Sequence, residues 1–370
     1  MSASKNKTIS VLFMVPSPVG ISPGQRFRFE HFLPEMEDRG MHYKISPFLS
    51  LRGRKNLYSK GNIIGKIVAI LGGYKRRVAD MFTLGRYDYI YIHRWAATAG
   101  PPIFEWLAAK IFRKKIIYDF DDAIWVNESA YNKRFLPVKF LNKVSKICSW
   151  AHVVTVGNEY LAEYARKYNS KVIMLPTVVN TETVHGQLQN HDTEKPAVGW
   201  TGSFSTLIYL DIVLPALQRL QEKFDFTFYV IADKDPALPL KNYQFIQWSR
   251  ESETQDLLRF HFGLMPLTDD EITKGKCGFK AIQYMALGMP ALVSPVGLNT
   301  EIVDDGKNGF MCNNDKEWEE KMLLLLRNSS LRKELGHAAR KKIETNYSVS
   351  SAKKIFFELF KCFFIGIIAS

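Results

Sequence analysis

Cysteine is scarce in this sequence, with four in 370 residues. Cys148, Cys277, Cys312 and Cys362 lie far apart, without a close pair and without histidines at metal-ligand offsets. This argues against a disulfide framework and a zinc site, and reduced, cytosolic thiols are expected. No apolar run reaches the roughly 20 residues that a membrane-spanning helix needs. The stretch from Ile355 to Ile368 is strongly apolar but broken by Glu358 and Lys361, which leaves packing on the protein or lying on a bilayer. Lys5 and Lys7 precede the apolar run Ile9 to Val15, but Pro16 follows and no small-residue cleavage site does, so a first strand is expected there rather than a signal peptide. Acidic residues are outnumbered, 37 against 50 Lys and Arg, for a net charge of +13. From Arg52 to Arg77 there is not one Asp or Glu. That balance suits anionic ligands, nucleic acid or an anionic membrane surface. No nucleic-acid-reading module accompanies it, so nucleic acid is not expected as a partner.

What is present is an alternation of short apolar runs with helical stripes over a length sufficient for two cores. Runs at 9–15, 87–93, 116–118, 151–156 and 172–176, and again at 197–201, 227–232, 244–248, 262–266 and 291–293, read as buried strands. Such alternation predicts an α/β fold with parallel sheets covered on both faces. The polar, aperiodic stretch at 181–196 is the expected linker. The domains are therefore expected at 1–180 and 197–349, with 350–370 forming a final helix.

Ligands of open α/β sheets gather at the carboxyl ends of strands, and several candidates fall there. The Pro- and Gly-rich loop after the first strand, containing Gly20, ends at Arg26 and Arg28, which read either as a phosphate clamp or as surface arginines. Arg94 ends the strand 87–93. Asp119, Asp121 and Asp122 end the strand 116–118 and read as active-site or acceptor-contacting carboxylates, as caps of the next helix, or as metal ligands. Gly202 and Ser203 open a glycine turn before a helical stripe, suited to a phosphate or to capping alone. Lys276, Lys280 and Gln283 share one helix face opposite an apolar set. Two lysines in a first helical turn oppose the helix dipole, a conflict that a bound phosphate removes; otherwise they are solvated. Gly297 and Glu301 lie in the loop after the strand 291–293. The basic and apolar segment 52–77 reads as a membrane-surface element or as a solvated basic helix.

The segment from Phe262 to Glu301 resembles the donor-binding segment of retaining glycosyltransferases of family 4, which have the two-domain GT-B fold. The resemblance rests on Met285, Ala286, Gly288 and Pro290, which form that family's Met-Ala-x-Gly-x-Pro turn. Two glutamates that precede the turn in the family are replaced by Gly275 and Gln283. The run Gly275 to Lys280 and the run Asp119 to Trp125 are similar to a bacterial branch of the family. Val156 to Leu161 and Leu175 to Thr177 match further family turns, so the resemblance covers nearly the whole chain.

The resemblance implies two facing Rossmann-like domains, the first for an acceptor and the second for a nucleotide sugar, with no metal or other cofactor required. Lys276 and Lys280 would stabilise the departing diphosphate, with Gly202, Ser203 and Gly297 contacting the donor. Gln283 would hold ribose, Glu301 would orient the donor, and Asp121 and Asp122 would position the acceptor or the reacting sugar. Gly20, Arg26, Arg28, Arg94 and Asp119 would contact acceptor or phosphate. Together with the charge, it implies a saccharide or lipid-linked acceptor on the cytoplasmic face of a bacterial inner membrane, in capsule or O-antigen synthesis. A nucleotide-sugar epimerase of the same fold, or an inactive carbohydrate-binding or assembly subunit, stays open.

Overall fold

The computed structural model describes residues 8–59, 61–126, 142–193 and 195–361. Lys5, Lys7, Cys362 and the end of the apolar tail lie outside them. Two six-stranded, wholly parallel sheets organise the chain. The first contains β1 (Ser10–Val15), β2 (His42–Pro47), β3 (Tyr89–His93), β4 (Lys115–Phe120), β5 (Val153–Val156) and β6 (Val172–Met174), in the spatial order β2-β1-β3-β4-β5-β6. The second contains β7 (Val198–Gly202), β8 (Phe228–Ala232), β9 (Tyr243–Gln247), β10 (Phe262–Met265), β11 (Ala291–Val293) and β12 (Gly309–Met311), in the order β12-β11-β10-β7-β8-β9.

The central strands are buried along their length because helices cover both faces, which is why they read as continuous Val, Ile, Leu and aromatic runs. β2 and β12 have no counterpart in the sequence reading. Both are edge strands: β2 is mostly exposed or half-buried, and β12 has three residues beginning with glycine, so neither needs an apolar run.

The strand orders place each sheet's topological switch point. In the first it lies between β1 and β3, in the second between β7 and β10. Loops leaving these strands flank the crevices where α/β sheets bind ligands. Contacts between the two sheets are made by these carboxyl-end loops. Arg26 pairs with Glu253 at 2.6 Å, the Cys277 thiol donates to the Asp121 carbonyl at 3.1 Å, and Asn158 donates to the carbonyls of Lys274 and Lys276, each at 3.1 Å.

Phe29, Phe32, Leu33 and Met36 are buried, and the α-helix begins only at Leu33, with Pro34 in its first turn where no amide is needed. In the segment Ile103–Ile111, Phe104 and Ala108 face the core while Trp106 and Ile111 are exposed. Residues 181–193, the expected linker, run along the second domain. The Gln189 side chain donates to the carbonyls of Leu258 and Phe260, and the Arg340 guanidinium holds those of Thr181 and His185. After the second sheet the helix Val349–Glu358, opened by a Ser348–Ser351 capping box, lies on the first domain, where Phe356 stacks on Phe32 at 4.3 Å.

Candidate active site

The first wall of the cleft is built from the ends of β3 and β4. Asp119 is fully buried and accepts from Arg28 Nη2 at 2.5 Å, from the Thr155 hydroxyl at 2.8 Å, and faces His93 Nδ1 at 2.7 Å. Burial alone would raise its carboxyl, but Arg28 and His93 outweigh that and hold it well below the usual carboxylate range. With Nδ1–H directed at Asp119, His93 presents Nε2, a buried ring nitrogen without a hydrogen-bond partner among the described residues, 3.9 Å from Asp121.

Arg94 follows at a left-handed φ of 61°, a backbone state that costs a side-chain-bearing residue on the order of 1–3 kcal/mol. The Asp119 carbonyl accepts its amide and the Tyr118 hydroxyl donates to its carbonyl, which fixes that geometry. The guanidinium thereby reaches Asp121 at 2.8 Å and Asp122 at 2.7 Å. Mutual repulsion of the clustered carboxylates is answered by these cations, and Asp121 is held low, with Arg94 overcoming the effect of burial. Among the described residues, no group of three or more His, Cys, Asp or Glu is placed to hold a metal ion.

The second wall is the loop Gly275–Gly278 and the helix Phe279–Ala286 that it opens. The loop is pressed into the first domain: a Cβ on Gly275 would lie 2.6 Å from the Ala123 amide nitrogen, and one on Gly157 would lie 2.2 Å from Cys277 Sγ. Small residues are required at both positions by this approach. Gly278, at φ 63°, starts the helix without a side-chain cap, so its first amides point outward unclaimed by any side chain. Lys280 sits 5.3 Å over the Trp200 ring and Lys276 6.0 Å over Tyr209. Burial, then repulsion from Lys276, bring the Lys280 ammonium down to about 7, with Asp122 opposing.

Lys280 and Gln283 line a cavity of about 310 Å³ with Gly202, Ser203, Trp248 and Glu253. Gln283 is buried, and among the described residues its amide nitrogen has no hydrogen-bond partner. The sequence-predicted residues thus divide. Lys280, Gln283, Gly202 and Ser203 line the cavity, Lys276 and Asp122 lie near enough to Lys280 to act on its charge, and Arg94, Asp121 and Asp122 form the first wall outside the cavity lining. Gly297 supports it from behind, since a Cβ there would meet the Lys274 carbonyl at 2.9 Å. Glu301 is exposed and lies outside the cavity lining.

Arg26 and Arg28 are neither surface arginines nor available clamps. Both are buried and bound to carboxylates, Arg26 to Glu253 and Arg28 to Asp119. Gly20, at φ 80°, packs against the Arg250 guanidinium, and its amide donates to Glu30. His93, Trp248, Glu253 and Asn158 escaped the sequence reading as site residues. His93 ends β3 and Trp248 directly follows β9, so the strand-end rule that singled out Arg94 and Asp119 could have found them.

Two parallel sheets covered by helices and meeting through their carboxyl-end loops across a cleft are the GT-B class of fold. Sucrose-phosphate synthase from Thermosynechococcus elongatus shares it with a TM-score of 0.71 at 13% identity, over 96% of this chain and 98% of that one. Anabaena HepE, solved in complex with UDP and glucose, does so with a TM-score of 0.63 at 13% identity, over 95% and 98%. Residues 195–328, within the second domain, match the model of the family described as Glycosyl transferases group 1, and the likeness to these solved structures shows the GT-B fold. An uncharacterized glycosyltransferase of Methanocaldococcus jannaschii is 29% identical over 257 residues, which span 64% of this chain and just 66% of that relative.

Proposed function

We propose that the protein is a retaining glycosyltransferase that moves a hexose-type sugar from a nucleoside-diphosphate sugar to an acceptor hydroxyl. The observation that carries this reading is a cavity lined by Lys280, Gln283, Gly202 and Ser203 at the start of the uncapped helix, with Lys276 and Asp122 near enough to Lys280 to act on its charge. As the bond between sugar and diphosphate breaks, negative charge grows on the leaving oxygen. Two ammonium groups and outward amides are favourable in proportion to that charge, so they act on the transition state more than on the bound donor. Gln283 offers its unpartnered amide to a ribose hydroxyl. Asp121 and Asp122, oriented by Arg94, position the acceptor or the reacting sugar. The contacts joining the two domains exclude water from the cleft and limit hydrolysis of the donor. The charge balance is met by protein cations, which supports a reaction that uses no metal. HepE's complex with UDP and glucose is consistent with a nucleoside-diphosphate donor.

The acceptor we propose is a lipid-linked saccharide used in bacterial surface polysaccharide synthesis, met at the cytoplasmic face of the inner membrane. The net charge of +13 supports it. Among the described residues no helix is long and apolar enough to cross a membrane, so association would be peripheral.

The test is a panel of nucleotide sugars with and without saccharide and lipid-linked acceptors. Nucleotide release together with an elongated acceptor is expected. Altered sugar without acceptor would show an epimerase, and binding alone an inactive subunit. Lys276→Ala with Lys280→Ala removes two charge-assisted contacts of about 1.5–3 kcal/mol each. A loss of nucleoside-diphosphate affinity of roughly 100-fold or more is therefore expected by calorimetry. Unchanged affinity and turnover would overturn the site.

A further inference from the structure

The helix Ile63–Thr83 carries its apolar residues on the wrong side for a core. Ile63, Ile64, Ile67, Val68, Leu71, Val78 and Phe82 are all exposed, Ile64 to 78% and Phe82 to 86%. At 3.6 residues per turn these seven positions fall within about 140° of arc, a single stripe. The opposite side holds the helix to the domain. Ala69, Gly73, Arg77 and Asp80 are buried there, with Arg77 bonded to Asp80, Ser46 and the carbonyls of Val15 and Ala96. The stripe is therefore presented outward by a rigid inner face.

A second apolar feature adjoins it. Tyr74 of this helix donates to the Ala99 carbonyl and packs on Phe104, at 5.8 Å between rings. Next to Phe104, Ile103 and Trp106 line a pocket of about 300 Å³ with Pro101, Pro102 and Trp150, bordered by Lys143 and Lys146. Lys143 is occupied by the Ala97 and Gly100 carbonyls, which leaves Lys146 as the exposed cation of the rim. The loop from Arg94 to Pro102 connects this pocket to the acidic wall of the cleft, and eight peptide steps span at most about 30 Å.

We infer that the outer stripe of Ile63–Thr83 and the Trp106–Trp150 pocket form one docking surface for an anionic lipid bilayer, the stripe lying in the interface and the pocket seating a lipid chain. The lipid-linked acceptor proposed above is what gives this surface a role, and the inference deepens that reading by naming the face that meets the membrane. Charge selects the bilayer over a second protein copy. No acidic residue occurs from Arg52 to Arg77, and Lys75 is exposed within the stripe itself, so two copies would bring like charges together whereas anionic headgroups neutralise them. Tryptophan and lysine at the pocket rim match the amphipathic boundary between chains and headgroups.

The test uses the full chain with vesicles of phosphatidylcholine alone or mixed with phosphatidylglycerol. Cosedimentation with the anionic vesicles, weakened by salt, is expected. Ile64→Glu with Phe82→Glu should lower vesicle affinity at least about tenfold, because each change withdraws a large apolar side chain from burial. Both residues are on the surface, so nucleoside-diphosphate affinity in solution should not change, which separates a failure of docking from a failure of the catalytic reading. Chain-brominated lipids should quench the wild type more than Trp106→Phe. The inference is overturned if wild type ignores anionic vesicles, if the double variant binds equally, if Trp106→Phe is quenched as fully, or if light scattering shows a dimer that the double variant splits.

Discussion

Lys280 is the residue whose protonation sets how the site meets its ligand. Its ammonium, brought down to about 7 from 10.5 by burial and by Lys276, is partly discharged in the empty site at neutral pH. A diphosphate arriving beside it favours the charged form and raises the pKa again, so binding takes up a proton. Affinity should be full below pH 7 and decline above it, by up to about tenfold per unit, until the bound-state pKa is reached. Calorimetry in buffers of different ionisation enthalpy would detect the uptake at pH 8, and Lys280→Arg, whose guanidinium stays charged, should abolish it. Asp119 and Asp121 show the complementary case. Their carboxyls are held low by Arg28 and Arg94, so they are charged throughout this range and contribute nothing to its pH dependence. The sequence named these carboxylates and lysines, with Arg94 at the same sheet edge as a cation to answer the aspartates, but it did not pair Arg28 with Asp119. That Arg28 serves Asp119 rather than a phosphate depends on the folding of a chain in which the two stand 91 positions apart.

At the scale of elements, the packing of the loop Gly275–Gly278 explains why a glycine and a cysteine stand at these positions. Gly275 sits against Ala123 and Cys277 reaches the Asp121 carbonyl, so the loop is the contact that brings the lysine-bearing helix to the acidic wall. Gly275→Ala would place a methyl 2.6 Å from Ala123, and overpacking of this kind costs about 1–3 kcal/mol. We expect kcat to fall at least about tenfold while the diphosphate still binds, since the lysines and helix start remain. Steady-state kinetics beside calorimetry distinguishes this from a loss of donor binding. The helix itself was legible from its 3.6-residue pattern, as were the buried strands from their apolar runs. β2 was not, because it is mostly exposed or half-buried and leaves little apolar pattern, and β12 was not, because three residues beginning with glycine are too short a run to read.

For the whole molecule the question is what holds the two sheets in register. Arg26 and Glu253 pair across the cleft, both buried, with Trp248 Nε1 donating to the other carboxylate oxygen at 3.0 Å. Removing one member of a buried pair typically costs about 3–5 kcal/mol, whereas replacing both with apolar residues is often neutral. Arg26→Met should therefore destabilise the protein strongly, and Arg26→Met with Glu253→Leu should recover most of the loss, as read by denaturant unfolding of the two variants. Equal losses would mean the pair is not the coupling element. By itself the sequence determined the alternation of strands and helices, two parallel sheets and the strand ends at which chemistry collects, because burial and backbone pairing are written locally in side-chain pattern. Only the tertiary structure decided which charges cancel and which stay free. That outcome depends on distances between residues far apart in the chain, such as Arg26 and Glu253, and on whether a helix turns its apolar stripe toward a core or, as Ile63–Thr83 does, away from it.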